Sequence, residues 1–353
     1  MTKQAVVNIL TEVRKLKEKS GLTIVDSHIH PLDVMGVVHY SETRSDCPDQ
    51  DYLQPGILEK FNYNKIEKLG SRAYFKLHPR GVEGIIEKTY QHVNVDRMIK
   101  EMEASLTDKG VLLSLDPWAP TETVGKKYSH DSRFLILGSI DVNEIDVSEI
   151  EKKILSYIQS YNIVGLKFHP NLQNFKPQPS HNNPLIGERL HKIYDVAARN
   201  NLYLLFHGGI SNFTKKINKR YEVSERSRHN ALLKNFVNKD GTSELFSYGM
   251  PIVIAHIGHY GMVNIDYSLV SEICKKYPNV FFDTSGVSSH TIGKTINMVP
   301  SDRLIFGSDA LYNRIAYNIA FLYNAVMGSG VYETWETSLV NILGRNFYNY
   351  ILK

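Results

Sequence analysis

The chain is 353 residues long, 42% of them apolar, with 41 basic and 37 acidic side chains and a formal charge of +4. That length allows one large domain or two ordinary ones, and the apolar fraction is enough to bury a sizeable core. The charge excess is small and scattered, which speaks against a nucleic-acid-binding or membrane-surface protein, and no apolar run reaches the roughly 18 residues of a membrane span.

The N-terminal "AVVNIL" is too short an apolar block for a secretory leader. Cys47 and Cys274 stand outside any C-x-x-C pair, which fits a reducing, cytoplasmic setting. "RKLKEKS" (14–20) mixes its charges and reads as the solvated face of a helix. The first strand follows as "LTIVDSHIH" (22–30). From His30 to about Val95 no strand pattern is visible, but Tyr40, Tyr52, Phe61, Tyr63, Tyr74 and Phe75 recur, with Arg72, Lys76, His78 and Arg80 near the end. A structureless loop of that length is uncommon, so a small helical cap is expected over about 31–94.

A helix over 94–110 leads into a second strand, "GVLLSLDPW" (110–118), and a third, "RFLILGSIDV" (133–142). "VSEIEKKILSYIQSYN" (147–162) sets Ile150, Ile154 and Ile158 at helical spacing, with Ser148 as the expected N-cap. Strands four to six are "IVGLKFHP" (163–170), "LYLLFHGG" (202–209) and "PIVIAHIGH" (251–259). A helix over 267–279 precedes the seventh strand, "NVFFDTSG" (279–286), and the eighth is "RLIFGSDA" (303–310). "SLVNILGRNFYNYILK" closes the chain as a last helix. Eight near-continuous apolar strands alternating with helices predict one α/β domain over 1–353, a (β/α)8 TIM barrel with a helical insertion after the first strand. The rival, a doubly wound open sheet, typically has a Gly-rich phosphate turn after an early strand, which this chain lacks.

Alternate residues of a strand share a face, so Asp26, His28 and His30 are expected to point one way and Ile29 the other, toward the covering helices. Alone, an H-x-H is a weak signal. His169, His207 and His256 each end a later strand, and Asp309 ends the last. In a barrel, parallel strands end on one face, so these groups converge. By the same alternation Lys167 and His169 share a face, as do Ile252, Ile254 and His256. Imidazoles with a carboxylate suit a divalent cation, zinc first and manganese or another ion as the alternative. Such an ion lowers the pKa of a bound water from about 15.7 toward about 7, and a nearby carboxylate accepts its proton.

The ordered motifs "VDSHIH", "GLKFHPNLQNF", "LLFHGG", "VIAHIGH", "FFDTSG", "FGSDA" and "NILGRNF" resemble the amidohydrolase superfamily. The likeness is to the branch with aminocarboxymuconate-semialdehyde decarboxylase, resorcylate-type decarboxylases and pyrone-dicarboxylate lactonase. It leaves 31–94 uncovered. The resemblance implies that His28, His30, His207 and Asp309 bind metal, with one ion expected rather than two. It implies that Asp309 also shuttles a proton and that His256 contacts the attacking water or substrate. Lys167 is read as a plain cation that faces a substrate carboxylate or orients the site, in preference to the carbamylated bridging lysine of another branch. His169, Arg80 and Trp118 complete the expected substrate-binding set, with Arg72 and His78 as further cap candidates. "AHIGH" departs from the usual A-H-x-G-G by placing His259 at the second glycine, and the usual proline or aromatic soon after the eighth-strand aspartate is missing from "GSDALYN".

The expected function is metal-dependent hydrolysis of a small amide, lactone or ester, with His256 supporting the oxyanion. The alternative is non-oxidative decarboxylation of a small carboxylated substrate on the same ligands. A TatD-type nuclease calls for a glutamate at the end of strand four, where this chain has "GLKFH". A binding module that has lost catalysis is disfavoured because the ligand set is intact. The expected partner is a small molecule, with neither nucleic acid nor membrane, and the resemblance leaves a homodimer open.

Overall fold

A computed structural model describes residues 1–44, 46, 50–55, 77, 79–211, 227–262, 264–330 and 335–352. Eight parallel strands run in chain order around one sheet: β1 Val25–Ile29, β2 Lys109–Leu113, β3 Phe134–Gly138, β4 Gly165–Phe168, β5 Tyr203–Phe206, β6 Ile252–Ile254, β7 Val280–Asp283 and β8 Leu304–Ile305. The loop after β8 completes the ring. Ser27 N donates to Phe306 O at 3.0 Å, Asp309 N donates to His28 O at 2.9 Å, and Ile29 bridges to Ala310 in parallel register. Every expected strand is present, and the fold is a (β/α)8 TIM barrel.

The apolar residues divide into two populations. The outer one fills the space between strands and helices and includes Ile24, Ile29, Leu112, Leu204, Ile252 and Ile254. The inner one fills the lower barrel with Val25, Val111, Leu113, Leu205, Val253 and Phe281, among others. Four residues of the N-terminal helix Lys3–Ser20, namely Val6, Leu10, Val13 and Leu16, are buried. Their three- and four-residue spacing forms one apolar stripe, which packs on the helices Ile315–Gly328 and Trp335–Val340. Among the described residues, no helix is long and apolar enough to cross a membrane.

Two local expectations are corrected. The helix Val147–Tyr161 takes Asp146 as its N-cap, so Ser148 lies inside the first turn. The last segment begins as the α-helix Trp335–Val340 and then widens into π-helical turns over Asn341–Arg345 and Phe347–Ile351. These turns insert Phe347 and Ile351 into the inner core as a floor for the barrel. Gly344 passes so close to strand β1's approach that a Cβ there would stand 1.9 Å from Thr23 O. Asn346 Nδ2 ties the floor to the wall by donating to Ser301 O at 2.7 Å and Leu304 O at 2.8 Å.

Of the expected cap, a single 3₁₀ turn at Tyr40–Glu42 and the helix Pro79–Tyr90 are described. Arg72, Lys76, His78, Phe61, Tyr63, Tyr74 and Phe75 lie outside the described residues, as does Cys47.

Candidate metal centre

The barrel mouth is assembled across the seam between β1 and the loop after β8. Strand β1 shifts register between Asp26 and Ile29, so Val25 lies in the inner apolar layer, Ile29 packs outward, and His28 is buried at the mouth. Asp26 accepts the backbone N–H of His28 at 3.1 Å and of Ser308 at 2.9 Å, and also the Ser308 hydroxyl. Burial pushes the Asp26 carboxyl up to about 7. Gly307 is needed beside it, because a Cβ there would stand 2.9 Å from His28 Cβ.

Three ligand-type atoms converge over this seam. His28 Nε2 lies 3.2 Å from His30 Nε2, and Asp309 Oδ1 lies 3.6 Å from the first and 3.4 Å from the second. Four N/O ligands bonded tetrahedrally at about 2.0–2.2 Å would stand about 3.3–3.6 Å apart. The observed triangle therefore has the spacing that a small divalent cation requires. His256 joins the group: one donor atom each from His28, His256 and Asp309 lie within 4.8 Å of one another. His207 stands beside them, its ring 4.9 Å from His256 between centroids, and its buried Nε2 has no hydrogen-bond partner among the described residues.

The carboxylate that orients the His28 ring and anchors the backbone of His256 is Asp283, at the end of β7, a residue the sequence reading did not single out. It accepts His28 Nδ1–H at 2.8 Å, His256 N–H at 2.8 Å, Ser285 N–H at 3.0 Å and the Ser285 hydroxyl. Burial alone would raise its pKa, but the charge and hydrogen bond of His28, with His256 and Ser285, hold it well below the usual carboxylate range. His28 therefore carries its hydrogen on Nδ1 and presents a lone pair at Nε2. His256 does the same, since its Nδ1 lies 2.8 Å from the Ser285 carbonyl, which only accepts. Burial brings both imidazoles down to about 4, opposed by the nearby carboxylates. Neutral imidazoles with free lone pairs and an anionic carboxylate form a donor set that fits a divalent cation.

The route by which His256 reaches the mouth differs from the expected alternation. Ile252 and Ile254 face outward, and Val253 and Ala255 face the barrel interior. His256 (φ 59°) and Ile257 (φ 52°) then adopt left-handed backbone, which turns the imidazole inward. Asp309 (φ 65°) is held the same way. Left-handed backbone at β-branched or bulky residues is strained and recurs at functional sites. His259, the departure from A-H-x-G-G, braces this loop: its Nδ1 lies against Ile257 O and its Nε2 accepts Asp266 N–H at 2.9 Å.

Lys167 and His169 both face the interior, one step apart. Lys167 is buried, its Nζ has no hydrogen-bond partner among the described residues, and it does not line the mouth pocket. Burial lowers its ammonium to about 8, against the pull of Asp283 and Asp309. His169 does line the pocket, stacked on His207. Burial and then Lys167 hold its pKa well below that of a free imidazole. The remaining walls include Val34, Met35, Leu172, Tyr260 and Tyr312, none of which the sequence reading selected. Asp33 shapes the first of these walls by accepting the N–H groups of Met35, Val37 and Val38 and the Tyr312 hydroxyl. Arg80 lies exposed on the helix Pro79–Tyr90 and Trp118 is packed in the outer core, and neither lines the pocket.

The amidohydrolase family profile matches residues 129–326. Solved structures of similar fold include a 2,6-dihydroxybenzoate decarboxylase from Rhizobium, at 12% identity and a TM-score of 0.54, covering 94% of this chain and 98% of that one. A probable 2-pyrone-4,6-dicarboxylic acid hydrolase from Acinetobacter baumannii is 14% identical with a TM-score of 0.53, over 94% and 99% of the two chains. A 5-carboxyvanillate decarboxylase from Sphingomonas paucimobilis is 13% identical with a TM-score of 0.53, again over 94% and 99%. No curated protein sequence matches the chain.

Proposed function

The chain belongs to the amidohydrolase family, and we propose that it is a metal-dependent hydrolase of a small amide, lactone or ester. His28, His30, His207 and Asp309 would hold the ion, zinc for preference, and the segment 31–94 would cap the mouth and choose the substrate. The observation that carries this reading is the triangle of His28 Nε2, His30 Nε2 and Asp309 Oδ1, with sides of 3.2, 3.4 and 3.6 Å. A bound divalent cation supplies an acidified water and polarises a carbonyl.

The protein groups then divide the proton chemistry. Asp309 accepts a proton from water and returns it to the leaving group. Its Oδ2 is steadied by Asn313 Nδ2–H at 3.3 Å, and burial raises its pKa, which favours taking the proton from water. His256 has its hydrogen on Nδ1, so its Nε2 accepts a hydrogen bond from the water and aims it. This refines the expectation that His256 supports the oxyanion, because a neutral ring of this tautomer has no N–H to give there. Val34, Met35 and Leu172 line the pocket with apolar side chains.

The second reading is non-oxidative decarboxylation of a small carboxylated substrate, favoured by the decarboxylases that share this scaffold. Two measurements test both readings. Elemental analysis of the purified protein is expected to find about one divalent ion per chain, and its absence with no effect of chelation would end both readings. Screening lactones, esters, amides and aromatic carboxylates is expected to show turnover with net addition of water. CO₂ release without water addition would replace the first reading with the second.

A further inference from the structure

His28 and His256 both spend their N–H on a fixed acceptor and present lone pairs to the reacting centre. A carbonyl under attack, or a bound carboxylate, needs the opposite: a donor aimed at an anionic oxygen. His169 is built that way. Its Nδ1 accepts the Leu172 amide N–H at 3.3 Å, which puts the ring hydrogen on Nε2. The ring lies flat on His207, with centroids 3.9 Å apart and 9° between planes, so it is held against rotation.

The backbone that carries it is clamped on three sides. His169 N donates to Gln173 Oε1 at 2.9 Å, and Gln173 Nε2 donates to Asp116 O at 3.2 Å and Ile140 O at 3.0 Å, joining the turn to the ends of β2 and β3. Asn171 Nδ2 donates to Gly209 O at 3.1 Å while its Oδ1 accepts Ala231 N–H at 2.6 Å, joining the turn to the loop after β5. In "HPNLQ", two buried polar side chains are committed to holding the turn, and the pocket-lining imidazole keeps one N–H for a ligand.

We propose that His169 is the neutral hydrogen-bond donor of this site, giving Nε2–H to an anionic oxygen of the substrate, and that Gln173 is the residue that positions it. The location of that oxygen rests on the metal-dependent reading above; the tautomer does not. The oxygen is either the one that gains charge when a carbonyl is attacked or one already present in a carboxylate, and two probes separate these sources. Benzoate stands for the carboxylate and methylphosphonate for the tetrahedral oxyanion.

Two-bond ¹H–¹⁵N spectra of the full chain, with and without zinc, are expected to show His169 with Nε2 protonated and Nδ1 bare at pH 7.5. A protonated Nδ1 would overturn the proposal whether or not zinc binds. In zinc-loaded protein, calorimetry is expected to show that His169→Phe, which keeps a stacked ring and loses the donor, binds at least one probe about ten- to a hundredfold more weakly at unchanged zinc content. His169→Gln, which restores an N–H, recovers part of that loss, and Gln173→Glu shifts the His169 ¹⁵N signals and weakens the same probe. Weakening of benzoate alone assigns a carboxylate, and of methylphosphonate alone an oxyanion. Wild-type affinity of His169→Phe for both probes, or failure of the zinc-loaded wild type to bind either, overturns the proposal. Failure of the wild type to take up zinc overturns the metal reading instead.

Discussion

At the floor of the barrel, Phe347 and Ile351 rise from π-helical turns into a layer of Val25, Val111, Leu113, Tyr203 and Phe281. At the mouth, buried His30, His169, His207 and His256 line one pocket with Asp309, and His28 is buried beside it. The floor gains stability from apolar area removed from water. The mouth works against stability: His256, Ile257 and Asp309 sit in left-handed backbone at about 1–3 kcal/mol each, and His207 Nε2 and Lys167 Nζ are buried without a hydrogen-bond partner among the described residues.

The comparison is broken most sharply by Asp309→Asn. Turnover of whichever substrate the wild type accepts is expected to fall by about a thousandfold or more, with circular dichroism and thermal midpoint little changed. Retained activity would remove Asp309 from the mechanism. Phe347→Ala does the converse: urea unfolding is expected to show a loss of about 3–5 kcal/mol while the folded fraction binds metal with the same stoichiometry. A change in stoichiometry would mean that floor and mouth are not separable.

Asp283→Asn tests the support beneath the mouth, since it keeps the shape of that side chain and weakens the acceptor of the His28 ring and the His256 backbone N–H. Metal affinity, measured by competition with a chelator, is expected to drop about ten- to a hundredfold, and an unchanged affinity would reduce Asp283 to packing. The smallest effect expected is at Asp116, near the mouth. Burial pushes its carboxyl up to about 7, with Lys153 pulling the other way. An unfolded aspartate titrates near about 3.9. The folded state therefore favours the protonated form, and stability is lost as pH rises from about 4 through about 7. Asp116→Asn should be more stable to urea than wild type at pH 8, by about 1–2 kcal/mol in unfolding free energy, and show little difference at pH 4. An equal difference at both pH values would contradict that sign.

The strands were legible because each is an apolar run covered on both faces, and order alone then placed the histidines and Asp309 at one end. Asp283 escaped notice for a physical reason: its partners His28 and His256 stand 255 and 27 residues away, and a lone aspartate after "VFF" carries no local signature of an orienting carboxylate. His256 was placed correctly on the wrong argument, since alternation fails once the backbone turns left-handed. Tyr260, Tyr312, Val34 and Met35 come from loops, where neither periodicity nor spacing says which way a side chain faces. Arg80 had only its charge to recommend it, and charge by itself more often marks solvent.

The ring is closed by a pair of residues 282 positions apart, Asp26 and Ser308, and the ligand triangle straddles that closure. During folding, no site exists until the first strand has been met by the last, a contact of very long range whose loop-closure cost slows folding. An ion held there would act as a clasp on a bracelet: it would favour the ring once formed and add little to any earlier intermediate. Metal should therefore slow opening of the barrel much more than it speeds closing.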